Sequence, residues 1–188
     1  MSGFSSSAVA AGAPSAWVMR WLAGLPAGAS VLDVAAGSGR HALAAVELGL
    51  RVTAVDRDVG ALLAAGTDRL SVRQADLEQG PWPFGDESFD AVLVSRYLFR
   101  PRLALLAALV APGGRLIYET FARGNERYGR PSNPAFLLEA GELYERARRA
   151  GLVVLGYEHG FVSAPAPAMI QRVCALRPPL TEPLLALG

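Results

Sequence analysis

Lysine is missing from this 188-residue chain; all 18 of its basic residues are arginine. That excludes lysine Schiff bases, a P-loop, and the Tyr-x-x-x-Lys pair of short-chain reductases. Cys174 is the single cysteine, so no intrachain disulfide can form, which fits a reducing cytoplasm. His41 and His159 are the only histidines, and with one cysteine they do not make up a zinc set; no metal is expected. No apolar run is long enough to span a bilayer, and no membrane partner is expected. A net charge of +1 leaves no bulk electrostatic case for nucleic acid. Residues 1–14 are small and polar, without the basic start and apolar stretch of a secretory signal, and read as a flexible tail. The whole chain is 52% hydrophobic, and what remains beyond the tail, residues 15–188, reads as one domain with its own core.

Short apolar or β-branched runs predict strands at residues 30–34, 51–55, 70–74, 89–94 and 115–120, with two more at 152–157 and 169–176. Between them, periodic segments predict helices at residues 38–48, 59–65 (with Asp58 as cap), 101–110 and 139–150. Pro112-Gly113-Gly114 is read as the stop of the third of these. Alternation of this kind argues for an α/β three-layer sandwich, a mostly parallel sheet covered by helices on both faces. Ligands of such sheets sit beyond the carboxyl ends of the strands, where strand order reverses.

The first strand runs into Asp33-Val34-Ala35-Ala36-Gly37-Ser38-Gly39. Glycines here allow a sharp turn and a close approach of a ligand to the backbone. Asp56 follows Gly39 by seventeen positions, near the spacing at which a carboxylate meets ribose hydroxyls. Gly37-Ser38-Gly39-Arg40-His41-Ala42 also satisfies a dinucleotide pattern, so the loop alone does not separate NAD from another adenosine cofactor. Asp33 does. A diphosphate about 5 Å from it would meet roughly 3 kcal/mol of repulsion at an effective dielectric near 20. S-adenosylmethionine, with its ammonium and sulfonium, would gain from the same charge.

Five segments in order, "VLDVAAGSGRHA", "VTAVDRD", "QADLE", "FDAVLVSRYLFRP" and "LVAPGGRLIYETF", resemble the signature of class I S-adenosylmethionine-dependent methyltransferases. The resemblance implies a Rossmann-like, seven-stranded sheet whose last strand is antiparallel. It implies that Asp33, Ala35, Gly37 and Gly39 hold the methionine part, with Ala35 standing where the family usually has glycine. It implies that Asp56 binds ribose, that Arg57, Asp76 and the Leu77 amide meet adenine, and that Ser95 to Tyr97 lie beneath the sulfonium.

Within residues 118–138, "YETFARGNERYGRPSNPAFLL", the stretch 119–134 leaves the end of the fifth strand on the cofactor side and is expected to wall or cover the acceptor site, while residues 136–138 are expected to pack back on the core. Arg96, Arg123 and Arg130, with Arg100 and Arg127, suit either an anionic acceptor or the fastening of the loop. Tyr118 and Tyr128 divide between strand packing and substrate contact. Glu119 is the carboxylate best placed as a general base, with Tyr97 and Tyr118 as proton carriers or orienting groups. The phrases "RYLFRP", "YETFARGNERYGRPSNPAFLL" and "GELYE" further resemble tellurite-resistance-type methyltransferases, which implies small soft nucleophiles or chalcogen oxyanions as acceptors. The expected activity is therefore methyl transfer to a small molecule, by a cytoplasmic monomer or homodimer, with S-adenosylhomocysteine as product. An NAD-dependent reductase and a non-catalytic S-adenosylmethionine-binding module are the alternatives. His41 is assigned to packing or a cofactor-edge contact, Cys174 to the core, and Glu142, Glu145, Arg146, Arg148 and Arg149 to a solvated helix face.

Overall fold

The computed structural model describes residues 12–179. Most of the expected tail lies outside that range. Strands β1 (Ser30–Val34), β2 (Arg51–Asp56), β3 (Leu70–Gln74), β4 (Phe89–Ser95), β5 (Val110–Phe121), β6 (Val153–Val162) and β7 (Ala168–Leu176) form one seven-stranded sheet in the order β3-β2-β1-β4-β5-β7-β6. β1 to β5 pair in parallel, and β7 is antiparallel to both β5 and β6. Strand order reverses between β1 and β4, so a crevice opens beyond their carboxyl ends.

The central strands β1 and β4 are buried on both faces, which is why they read as nearly continuous apolar runs rather than alternating ones. Helices α1 (Ala16–Leu22) and α2 (Arg40–Glu47) pack with Val31, Ala54, Leu93, Ile117 and Cys174 on one face. Helices α4 (Leu103–Ala108) and α5 (Glu142–Arg149) pack with Leu32, Val92, Val94, Tyr118 and Val173 on the other. The short α3 (Gly60–Leu63) follows β2; Asp58 Oδ1 accepts from the Gly60 amide at 3.2 Å, and the helix ends earlier than its apolar sequence suggests.

Three departures from the sequence expectation have local causes. Helix α1 was not anticipated, although Trp17, Val18, Trp21 and Leu22 sit at helical spacing and are all buried. Its two indoles meet edge to face at 5.6 Å. Gly156 of β6 makes room for them, since a methyl there would lie 2.8 Å from the Trp21 ring. Second, Pro112-Gly113-Gly114 is not a stop. β5 begins at Val110, opposite Phe89, and a bulge in the pairing with β4 accommodates the three residues. The Gly113 amide donates to Arg177 O at 2.8 Å, which ties the bulge to the end of β7. Third, Glu142 does not belong to a solvated face. Its carboxylate accepts from Arg100 at two 2.8 Å contacts as well as from Arg146, four residues on. Burial would raise the Glu142 pKa, but Arg100, the Glu139 amide and Arg146 bring it down to about 2.

Candidate functional site

A polar row crosses the sheet at the mouth of the crevice. Ser95 of β4 stands opposite Glu119 of β5, Glu119 opposite Arg172 of β7, and Arg172 opposite Glu158 of β6. Directly opposed residues share a face, so these four side chains line up on the α1/α2 side. Charges alternate along the row. Arg172 Nη1 lies 3.5 Å from Glu119 Oε2, and its Nε lies 3.0 Å from Glu158 Oε2, an ion pair without hydrogen-bond alignment. The Arg172 guanidinium also rests over the Trp17 ring, 5.4 Å from its centroid. Arg40, the first residue of α2, extends the row by donating to Ser95 Oγ at 3.1 Å.

The same face explains where the tyrosines go. Tyr118 adjoins Glu119 in β5, and the strand period of two turns it to the opposite face. There it is fully buried, its hydroxyl donating to Tyr97 O at 2.7 Å. The expectation that Tyr118 contacts substrate is therefore corrected: it is a core residue supporting the loop after β4.

Two cavities flank the glycine loop. The smaller, about 180 Å³, is lined by Ala35, Asp56, Arg57, Asp76, Leu77 and Tyr97, with Ala75 and Glu78. These are the residues expected around an adenosine. Asp56 Oδ2 accepts from the Gly37 amide at 2.7 Å and Oδ1 from the Asp58 amide at 3.0 Å, so this carboxylate shapes the loop. Asp76 Oδ1 accepts from the amides of Gln79 and Glu78, which hold its pKa below the usual carboxylate range. The Tyr97 hydroxyl is buried with no partner among the described residues. Burial pushes its pKa up to about 12, so it stays protonated at neutral pH and offers a donor to the adenosine side. Of the two roles expected for it, proton carrier or orienting group, the protonated hydroxyl suits the orienting one.

The larger cavity, about 450 Å³, lies beyond the row. Arg40, Arg96, Glu119 and Arg172 supply its polar wall; Phe121, Val162, Pro165 and Ile170 are among its apolar residues. Residues 13–16 close one side. Arg40 Nη1 donates to Ala13 O at 3.3 Å, the Ser15 amide donates to His41 Nε2 at 3.1 Å, and Ser15 Oγ donates to Glu119 Oε2 at 2.9 Å. Ala13 and Pro14, expected in a flexible tail, thus belong to the wall. Burial, then Arg40 and Arg96, lower the His41 pKa to about 4, and the neutral ring is what can accept from Ser15.

Only two non-glycine residues among those described have positive φ: Ala35 at 54° and Arg96 at 56°. Each lines one of the two cavities, the kind of place where backbone strain collects. Gly39, with φ 83°, caps α2; a methyl there would sit 2.5 Å from Leu62 Cδ2, so a larger residue would strain the turn and displace that buried side chain.

Asp33 lines neither cavity. It is buried beneath the loop, and its Oδ2 has no hydrogen-bond partner among the described residues. Burial lifts its pKa to about 7 against the lowering pull of the Ala42 amide and Arg40. The loop after β5 also lies elsewhere. Arg123 pairs with Glu139 at 2.8 Å, and with Tyr128 it lines a separate hollow. Tyr128 packs on Phe161, and Arg130 is exposed and borders neither cavity of the site. Arg100 donates to Ala135 O and Leu137 O as well as to Glu142, the fastening role. Sequence reasoning missed Arg40, Arg172, Ser15 and the turn after β6. Arg40 could have been found as the first helical residue after the glycine loop. Arg172 could not, because an antiparallel pairing brings it to Glu119.

Arg40 is a half-buried cation whose partners are the neutral Ser95 hydroxyl and Ala13 carbonyl, with no carboxylate at ion-pair distance among the described residues. Burial and then the neighbouring Arg96 lower its pKa. Together with the unpartnered Tyr97 hydroxyl, this fits a ligand with a nucleoside at one end and a carboxylate at the other.

Residues 32–118 match the family described as "Methyltransferase domain". A demethylmenaquinone methyltransferase of Clavibacter sepedonicus is 35% identical over 140 residues, covering 69% of this chain and 53% of that protein. The chain spans about half the length of the curated relatives it matches. Among solved structures, TehB from Haemophilus influenzae superposes with a TM-score of 0.71 at 17% identity, over 86% of this chain and 61% of that one. An S-adenosylmethionine-dependent methyltransferase from Mesorhizobium loti gives 0.65 at 20% identity, over 85% and 96%.

Proposed function

We propose that this chain, which has the class I S-adenosylmethionine-dependent methyltransferase fold, transfers a methyl group from S-adenosylmethionine to a small anionic acceptor. The observation that carries the reading is the placement of two cavities on either side of the glycine loop, at the point where strand order reverses. Asp56 would hold the ribose, Asp76 and Tyr97 the adenine, and Arg40 the carboxylate of the methionine part. Ser95, at the end of β4, then neighbours the sulfur. When bound, the cofactor supplies a methyl group already activated by its positive sulfur.

The chain's own contribution is placement. An in-line displacement needs the nucleophile about 3–3.5 Å from the methyl, with water excluded. The larger cavity supplies that space, and residues 13–16 cover it. Glu119 is positioned by Ser15 and Arg172 through Oε2, which leaves Oε1 to orient the acceptor or take its proton. Arg96 and Arg172 favour a negatively charged acceptor, either a soft oxyanion or an organic anion. The protein would do this in the cytoplasm, as a monomer or homodimer.

Calorimetry with S-adenosylmethionine against NAD tests the reading; tight NAD binding with no response to S-adenosylmethionine would refute it. Release of S-adenosylhomocysteine with an acceptor present distinguishes an enzyme from a binding module. Asp56→Ala is expected to weaken S-adenosylmethionine by about 1.5–3 kcal/mol, through lost charge-assisted hydrogen bonds and a loosened loop. Unchanged affinity would place the ribose elsewhere.

A further inference from the structure

We infer that the acceptor is an organic anion with an apolar body rather than a bare oxyanion. Its charge lies at Arg96 and Arg172, and its body lies against Phe121, Val162, Pro165 and Ile170. The inference rests on the methyltransferase reading and narrows it.

The cavity sets the first condition. A volume of about 450 Å³ is in the range of pockets for small organic ligands, and even with a methionine end in place an oxyanion would fill little of it. The wall sets the second. Beyond the polar row the surface is apolar: Phe121 at the end of β5, Ile170 in β7, Val162 at the end of β6, and Ala164, Pro165, Ala166 in the turn that follows. An oxyanion would leave that surface against water, whereas an apolar body would cover it.

The charges set the third. Arg40 serves the cofactor end. Arg96 forms no salt bridge among the described residues and stands near enough to Arg40 for each to repel the other. A second anion at Arg96 relieves that repulsion. Arg172 is already divided between Glu119 and Glu158, so it can steer one carboxylate but does not carry a surplus of charge for a multiply charged ligand. The Arg96 backbone is held in its left-handed conformation by its amide, which donates to Glu119 O at 2.9 Å. The Arg96 backbone is thereby fixed beside Glu119, and its exposed side chain lines the cavity.

The test uses the full chain saturated with S-adenosylhomocysteine and titrated by calorimetry with benzoate, phenylacetate and isovalerate, with the matching amides, and with selenite. At least one acid is expected to bind at least about tenfold more tightly than its amide and than selenite. Arg96→Met is expected to remove most of that binding, whereas Arg123→Met, at the separate hollow, should leave it. Selenite binding as tightly as every acid, or amides as tightly as acids, would overturn the inference. So would binding of S-adenosylhomocysteine with none of the three acids bound, an outcome that leaves the methyltransferase reading standing. No binding of S-adenosylhomocysteine would instead bring down that reading, and this inference with it.

Discussion

Asp33→Asn is a substitution whose effect should change with pH in a defined way. Asp33 is 2% exposed, one of its oxygens lacks a partner, and its pKa rises from 3.8 to about 7 in the fold. Between those two values the folded protein binds a proton that the unfolded chain has released. Stability contributed by this group is therefore complete below pH 3.8 and is lost as pH rises through about 7. A shift of about three units corresponds to roughly 4 kcal/mol, an upper bound once the site relaxes around the charge. Asparagine has nearly the same shape, can still accept from the Ala42 amide, and carries no charge. Asp33→Asn should thus match the parent near pH 4 and exceed it by about 2–4 kcal/mol at pH 8.

His41 makes the parent protein's own profile informative. Its pKa falls from 6.5 to about 4, so the unfolded chain takes up that proton first and stability rises with pH across this range. The two groups oppose one another over nearly the same window, and the contribution of the pair to the parent's profile should be almost flat from pH 4.5 to 6.5. In Asp33→Asn the histidine slope stands alone. Urea unfolding followed by circular dichroism at half-unit pH steps gives both curves. A stability difference that does not vary with pH, or a variant less stable than the parent at pH 8, would refute the assignment of a buried, titrating carboxyl. The gain in stability should come with weaker S-adenosylmethionine binding, since the charge that costs the fold stability is one that a cationic ligand favours.

Two further outcomes are expected. Gly39→Ala should destabilise the protein by about 1–2 kcal/mol, because φ is 83° there and the added methyl meets Leu62; equal stability in urea titrations would count against a rigid loop. Arg100→Met should cost about 2–3 kcal/mol. It should also speed amide exchange across residues 135–138, since Arg100 fastens Ala135 O and Leu137 O and brings down the Glu142 pKa. The stability Glu142 contributes above pH 4.5 and loses as pH falls towards 2 should then shrink, which acid titrations of the two proteins would reveal.

The parallel half of the molecule was legible because its information is local. An apolar run such as Val31 to Val34 ends in a glycine turn, Asp56 ends β2, and Asp76 follows two residues after β3. Loops after parallel strands must emerge on one edge, so Ala35, Asp56, Arg57, Asp76 and Leu77 had to converge once the strands were recognised, and they line one cavity. The acceptor side obeys no such rule. β7 enters between β5 and β6 in the opposite direction, and that pairing brings Arg172 to Glu119 from far along the chain. Helices α1 and α2 cover the Glu119 face and leave Tyr118 on the other, a distinction that strand alternation permits but does not assign. The arginine-rich loop after β5 drew attention by its composition, yet Arg123 pairs with Glu139, Tyr128 packs on Phe161 and Asn125 donates to Pro131 O. Composition reports which groups are available to bind. Which of them remain unpaired and face an empty volume depends on contacts between segments distant in the chain, and these form only when the sheet is assembled.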